Sequence, residues 1–522
     1  MGISIHLRIM PNKIESAEWE SVYKESLELI KAYPFLDRIV DRKTYGCDWM
    51  YVDRAKERVL ESEGCPVGWH VFGDADSMQT AESFKLIRDL QYYRKQSSGR
   101  GQCDDILISL ISEDLDDSEV DDVEVFESKT QGLPYHIPVL AIACLIESRF
   151  PGHAIVFGDV SFSQIYKAVE WANSKLKKPI ELMDRADNAK LLNRIKRVLH
   201  DEIAALKALM ELTLQEKNSA LGDFARKQFR AEVISAYFTE RFKQFDVNMV
   251  GFRSSLAAYL NQGYSLEEAC DICVLEPHGC RFDPADFIET VLSMEWGTEE
   301  DSLDEFVRTS INHPHSEKPE TIPSLFGKIL LQIAGVQERV KSGLSFSDMV
   351  AMLRYKLGHT CDIEALLEKE RGIREEKAEL WREFQSWNKE ESVEHVVSAP
   401  TNVITDFDDL LLWEKGDAIH PLLLEALTKL KDYVKTELES DQQQFARFQE
   451  MKTNEKIRLL AARNRYFYIH KKAWDDIIQH FDHSRLSNVV LAILSIKAQE
   501  VNVNKLCKAV LNNRDLLKTY LL

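Results

Sequence analysis

Between Gln131 and Pro179 the chain passes through an apolar helix signal in HIPVLAIACLIESRF, a strand signal in HAIVFGD and a second helix signal in SFSQIYKAVEWANSKL. That order reads as the middle of an α/β core, and the rest of the N-terminal part can be read around it. In GISIHLRIMP, Ile3, Ile5, Leu7 and Ile9 alternate with Ser4, His6 and Arg8, the period of a strand with one buried face. A helix is expected in ESAEWESVYKESLELIKAYP, where Trp19, Val22, Tyr23, Leu27, Leu29 and Ile30 fall near helical spacing and Pro34 closes the run. Two aromatic strands follow in CDWMYVDR and VGWHVFGD, with Gly64, Pro66 and Gly68 as punctuation. A helix is expected from Thr80 to Lys95, a loop in SSGRGQ and a short strand in DDILISLI. The acidic run from Glu113 to Glu124 reads as a solvated loop.

From Asp187 the pattern changes. Leu191, Leu192, Ile195, Val198, Leu199, Ile203, Leu206, Leu209 and Met210 recur at three and four, predicting one long amphipathic helix. Helical patterning continues to about Met294. NHPHSEKPETIPS, at 312–324, with Pro314, Pro319 and Pro323, is the clearest linker, and SAPTN at 398–402 is another. The fold class expected is an α/β or α+β N-terminal domain over 1–185, followed by all-α domains over 186–311 and 325–522, predominantly helical overall. GYSLEEAC and GLSFSDMV both place a Gly before a Ser that caps the next helix, with Glu268 or Asp348 at its third position. The phrase also resembles the turn of a DNA-binding helix-turn-helix, but the helix after it is acidic and would repel phosphates.

The balance of 66 Lys+Arg against 86 Asp+Glu gives a formal charge of -20, which opposes broad binding to nucleic acid or anionic lipid. Nine cysteines, thinly spread and several of them among apolar residues, suit buried thiols in a reducing compartment. The N-terminus lacks the continuous apolar core of a signal peptide, and no run is long enough to span a bilayer. A cytoplasmic protein without membrane attachment is expected.

Three sets of residues could carry chemistry. VFGD occurs at 71–74 and again at 156–159, each time closing a strand. If the two strands were parallel neighbours, Asp74, Asp76 and Asp159 would lie at carboxyl strand ends, where α/β sheets place ligands, and could hold a divalent cation. Asp-Ala-Asp after an apolar strand resembles the DxD of nucleotide-sugar transferases, and less well the Asp-x-Asp of haloacid-dehalogenase-like phosphotransferases, because Met78 replaces the Thr or Val that pattern wants. The structural alternative is that these Asp residues hold turns and cap helices. Cys270, Cys273, His278 and Cys280 form C-x2-C-x4-H-x-C, close to a zinc knuckle but with the last spacing wrong; buried core cysteines are the alternative. Arg463, Arg465, Lys471 and Lys472 surround Tyr466, Phe467 and Tyr468, a mixture that can clamp phosphates and stack bases, or that can send its aromatics into a core. His313 and His315 fall in the linker. GxSxG, HExxH, Walker A and GxGxxG patterns do not occur in the sequence.

The phrases YGCDWMYVDR, GWHVFGDADSMQTAESF and PYHIPVLAIACLIESRFPG together resemble a group of bacterial soluble proteins of unassigned function, over roughly the first 185 residues. The resemblance implies a bacterial cytosolic setting and transfers no catalytic residue. Two functions are expected from these signals. The first is a cytosolic interaction or regulatory protein with a protein partner. The alternative is a divalent-metal enzyme acting on a nucleotide or phosphorylated substrate at the strand ends of the N-terminal domain.

Overall fold

Alternation at the N-terminus does build a strand. In β1 (Ser4–Ile9) the side chains of Ile5, Leu7 and Ile9 are wholly buried, while Ser4, His6 and Arg8 are part-exposed on the other face. The structure, a computed structural model, describes residues 3–61, 64–99, 103–111, 120–296, 339–340, 344–373, 403–464, 466–497 and 500–522. Both expected linkers, at 312–324 and 398–402, lie outside these residues, as do His313, His315, Arg465 and most of the acidic run.

The described chain is predominantly helical, with an α+β N-terminal region followed by helices. It packs as two compact units, one of residues 1–109, 114–182 and 396–522, the other of 110–113 and 183–395. In the first unit, α1 (Ser16–Ala32) leads to β2 (Phe35–Asp41), β3 (Trp49–Arg54), β4 (Arg58–Val59), β5 (Val67–Asp74) and β6 (Thr80–Ile87). The short α2 (Leu90–Arg94) and α3 (Ile108–Ile111) precede β7 (Val123–Lys129), α4 (His136–Arg149), β8 (Ala154–Gly158) and α5 (Phe162–Asn173). β1 is the centre of a three-stranded sheet, flanked by β7 and β8. The five other strands form a second sheet, in which β3, β2, β5 and β4 lie in that order and β6 also pairs with β5. Every ladder in these two sheets is antiparallel. The open choice between α/β and α+β thus falls to α+β.

The stretch around Gln131–Pro179 forms α4, β8 and α5 in the expected order. α4 has no polar stripe and is buried on nearly every side, from Val139 to Ile146. The Ser161 hydroxyl accepts from Gln164 N–H and the Gln164 side chain accepts from Ser161 N–H, a complete capping box at the start of α5.

Three local expectations change. Residues 80–87 are strand, not helix: TAESFKLI contains helix formers, but Phe84 and Leu86 are buried across from Val71 and Trp69, and sheet pairing overrides propensity. DDILISLI is a turn and the one-turn α3, with Ile106 and Leu107 fully buried. The long helix after Asp187 is two, Asn188–Val198 and Glu202–Leu212, because Asp201 accepts from Ala204 N–H at 2.7 Å and starts a new helix. β2 had no sequence expectation at all.

The C-terminal helices of the first unit cover the sheet beside β3. Trp49 lies 4.4 Å from Trp474 between ring centroids, Val52 N–H donates to Ile469 at 3.1 Å, and Phe72 meets Tyr468 edge-on at 5.3 Å. The second unit is helical around a knot of rings from Phe238, Phe242, Phe252 and Tyr259. There Ser265 and Glu268 complete the expected capping box, Gly263 takes the left-handed φ of +78°, and Ser345 accepts from Asp348 N–H.

Candidate functional site

β5 positions the site. One of its edges pairs with β6, from Gly68 opposite Ile87 to Gly73 opposite Thr80. The other edge is shared by two short partners: β4 at Val67 and Gly68, β2 at Gly73 and Asp74. Between them that edge lacks a ladder partner, and Asp37 from β2, Arg58 from β4 and His70 from β5 meet there. The Asp37 side chain is 0% exposed, and an unpaired carboxylate so placed would cost several kcal/mol. Arg58 supplies the countercharge as a fork, with Nε donating to Oδ2 at 2.6 Å and Nη2 to Oδ1 at 3.0 Å. Nη2 also donates to the Arg38 carbonyl at 3.1 Å. His70 Nδ1 lies 2.6 Å from Asp37 Oδ1. An ionised carboxylate only accepts, so Nδ1 carries a proton, and when the ring holds just that one Nε2 keeps its lone pair.

His70 lines a cleft of about 450 Å³ together with Arg38, Arg58, Glu61, Lys85, Phe126 and Glu127. That volume is within the range of roughly 300–1,000 Å³ in which small molecules bind. Lys85 stands directly across the ladder from His70. A larger hollow of about 1100 Å³, lined by Glu20, Arg88 and Tyr92 among others, has its main charges committed to each other: Arg88 Nη2 donates to Glu20 Oε1 at 2.6 Å. The smaller cleft is the better candidate because an oriented imidazole faces it.

At the edge of that cleft a second group forms on β1 and β7. In β7, Glu124 and Glu127 are three apart and in a regular strand would face opposite ways. The register slips between Leu7 and Arg8, so His6 faces Glu127 while Arg8 faces Glu124, and the extra residue in β7 brings both carboxylates to one face. Ligand atoms of His6, Glu124 and Glu127 all lie within 4.8 Å of one another, the one such group of three or more His, Cys, Asp or Glu among the described residues. His6 stacks on Phe157, with centroids 4.8 Å apart. Arg8 Nε approaches Glu124 to 3.8 Å and its Nη1 approaches Asp122 to 3.7 Å. Burial first, and then the facing Glu127 carboxylate, pushes the Glu124 carboxyl up to about 7.

The residues singled out in the sequence lie elsewhere. Asp74 and Asp159 close strands of different sheets, and since both sheets are antiparallel the condition of parallel neighbours is not met. Asp74, 5% exposed, accepts from the Ser77 N–H and hydroxyl at 2.6 and 2.7 Å, in a turn that leads to β6 rather than to a helix. It also stands beside the Tyr33 hydroxyl, whose pKa is raised by burial first and by Asp74 next. Asp76 is exposed and pairs with Arg54 at 3.2 Å. Asp159 accepts from the Ser4 hydroxyl at 2.8 Å and the Ser4 N–H at 3.1 Å, and the Ser4 hydroxyl is the first cause of its lowered pKa.

In the second unit Cys270 and Cys273 are fully buried, Cys280 is half-buried and His278 is exposed. Burial raises the Cys273 thiol well above its usual value, while a hydrogen bond with Cys273 lowers Cys280. Near the C-terminus Arg463 donates to Gln444 at 3.3 Å, Lys471 pairs with Asp475 at 2.5 Å, and Lys472 is exposed. Phe467 is buried, Tyr468 packs on Phe72 and Tyr466 is 41% exposed.

Sequence reasoning had a partial signal for the new group: alternation placed His6 on the open face of β1. It had none for Asp37, whose strand FLDRIVD does not alternate cleanly, for Arg58 in the two-residue β4, or for the register slip in β7. Among the described residues no helix is long and apolar enough to cross a membrane. A scan against protein-family models finds no match, and searches of curated proteins and of solved structures find none either.

Proposed function

We propose that the cleft beside β5 binds an anionic small molecule of the phosphorylated or nucleotide class, and that His70 accepts a proton from it or from an attacking water. The observation that supports this reading most is the buried Asp37, which fixes Nδ1 of His70 and leaves Nε2 as the nitrogen available to a ligand. Arg38 and Lys85, both exposed at the cleft, supply the positive charge that an anion would meet. The test is calorimetric titration of the full chain with pyrophosphate and with ADP, alongside release of nitrophenol from p-nitrophenyl phosphate. Arg38→Ala and Lys85→Ala are each expected to weaken binding about tenfold, or about 1.4 kcal/mol. His70→Gln is expected to abolish turnover while leaving affinity within a few-fold. Unchanged binding in both charge variants would remove the reading.

A protein-interaction role in the cytoplasm is the second reading. It is supported by Leu412, Leu422 and Leu424, which are 59%, 68% and 41% exposed in the C-terminal part of the first unit. Its test is quantitative pull-down from a bacterial lysate with the wild-type chain and with Leu412→Asp/Leu422→Asp. Identical recovered proteins would count against it.

A further inference from the structure

We infer that His6, Glu124 and Glu127 form a binding site for a divalent transition cation on the open face of the three-stranded sheet, at the edge of the cleft. The donor set is one imidazole and two carboxylates, which suits Zn2+, Mn2+, Fe2+ or Co2+ better than the all-oxygen sites of calcium. With ligand atoms already within 4.8 Å of one another, rotation of the two glutamate side chains toward the His6 ring would draw the donors closer to the roughly 2.0–2.2 Å at which such ligands hold an ion. With their carboxyls ionised, as a bound cation would require, Asp122, Glu124 and Glu127 against Arg8 leave an excess of two negative charges.

The backbone makes room for the imidazole. Gly158 adopts a φ of +108°, and a Cβ at that position would lie 2.8 Å from His6 Cδ2. Phe157 stacks on the ring, which seats His6 on the central strand between β7 and β8. The register slip in β7 completes the group, because without it Glu124 would point away. Bulges recur beside functional sites for this reason: they re-aim a side chain.

Three protein ligands leave coordination positions for water or for an oxygen of a ligand, the arrangement of a catalytic rather than a structural ion. Glu127 belongs to both the group and the cleft lining, which places the ion where it could polarise an anionic group held there. That last step rests on the proposed function; the site itself does not.

The test uses the full chain, stripped with chelator and titrated with Mn2+ while free ion is read by electron paramagnetic resonance. A single equivalent is expected, with His6→Gln and Glu127→Gln each weakening affinity at least about tenfold. Both positions are part-exposed or exposed, and circular dichroism checks that the variants are folded. Loading with Co2+ gives a second readout. A d–d spectrum without a thiolate charge-transfer band, unchanged in Cys273→Ser/Cys280→Ser, supports the site, whereas a thiolate band would move the metal to the cysteine cluster and overturn it. Absence of Mn2+ binding, or equal binding by folded His6→Gln and Glu127→Gln, would also overturn it. His70→Gln separates the two proposals: it is expected to bind Mn2+ as wild type does, whatever happens to turnover.

Discussion

At the residue scale, two buried polar groups govern what can be changed. Removing Asp37 leaves the Arg58 guanidinium without its carboxylate, so Asp37→Ala is expected to cost about 3–5 kcal/mol in urea unfolding of the first unit. The paired replacement Asp37→Leu/Arg58→Met takes out both charges and is expected to cost much less; equal losses in the two would mean that burial, not charge pairing, sets the effect. His136 is the other case. It is 4% exposed, shares a hydrogen bond of 2.6 Å with the Thr130 hydroxyl, and burial holds its imidazole down to about 4 from 6.5. Between those two values the unfolded chain binds a proton that the folded chain does not. His136 therefore contributes stability above its unfolded value that is lost as pH falls through about 4. His136→Asn is expected to flatten this part of the stability curve, measured as denaturant midpoints at about pH 5 and about pH 7.5.

The β8–α5 corner shows how much one element contributes. Ser161→Ala removes the hydroxyl half of a capping box and is expected to lower stability by about 1 kcal/mol, read from thermal melts. Gly158→Ala, paired with Ile5 and next to the Phe157 that stands opposite His6, meets both a positive φ and the Ser4 carbonyl 2.9 Å from the new Cβ. It is expected to cost at least about 1–2 kcal/mol and to weaken Mn2+ binding by moving the His6 ring, an outcome Ser161→Ala does not share. Elements with one dominant signal were legible from sequence. β1 alternated, α4 was apolar on every side, and Ser265 with Glu268 announced a cap. β6 was not, because helix formers in AESFKLI satisfy two periods and only pairing with Trp69 and Val71 decides between them.

At the scale of the molecule, segments distant in sequence share one core in the first unit. Trp49 belongs to the same apolar cluster as Leu427, Phe448, Trp474 and Val490. Trp49→Ala is accordingly expected to cost about 3–5 kcal/mol. Residues 1–182 expressed alone would expose Trp49, Val52 and Phe72, and are expected to bind a hydrophobic dye and aggregate, with recovery when 396–522 is supplied in trans. A monomeric, dye-silent 1–182 fragment would show that the sheets are stable without those helices.

What the amino-acid order determined by itself was local: which runs alternate, which helices carry caps, and which long runs are apolar. These follow from a few neighbouring side chains and a fixed backbone period. The candidate sites were decided by tertiary structure. Asp74 and Asp159 end strands with the same tetrapeptide, yet antiparallel pairing puts them in different sheets, each held by a serine of its own surroundings. His6, Glu124 and Glu127 have no spacing that reads as a motif, and only a one-residue slip between β1 and β7 turns them toward each other. Asp37, Arg58 and His70 come from three strands and meet because the edge of β5 is shared by two partners that leave a gap. Strand order and the slip in the β1–β7 register depend on contacts between residues far apart in the chain, beyond what the alternation of either strand specifies.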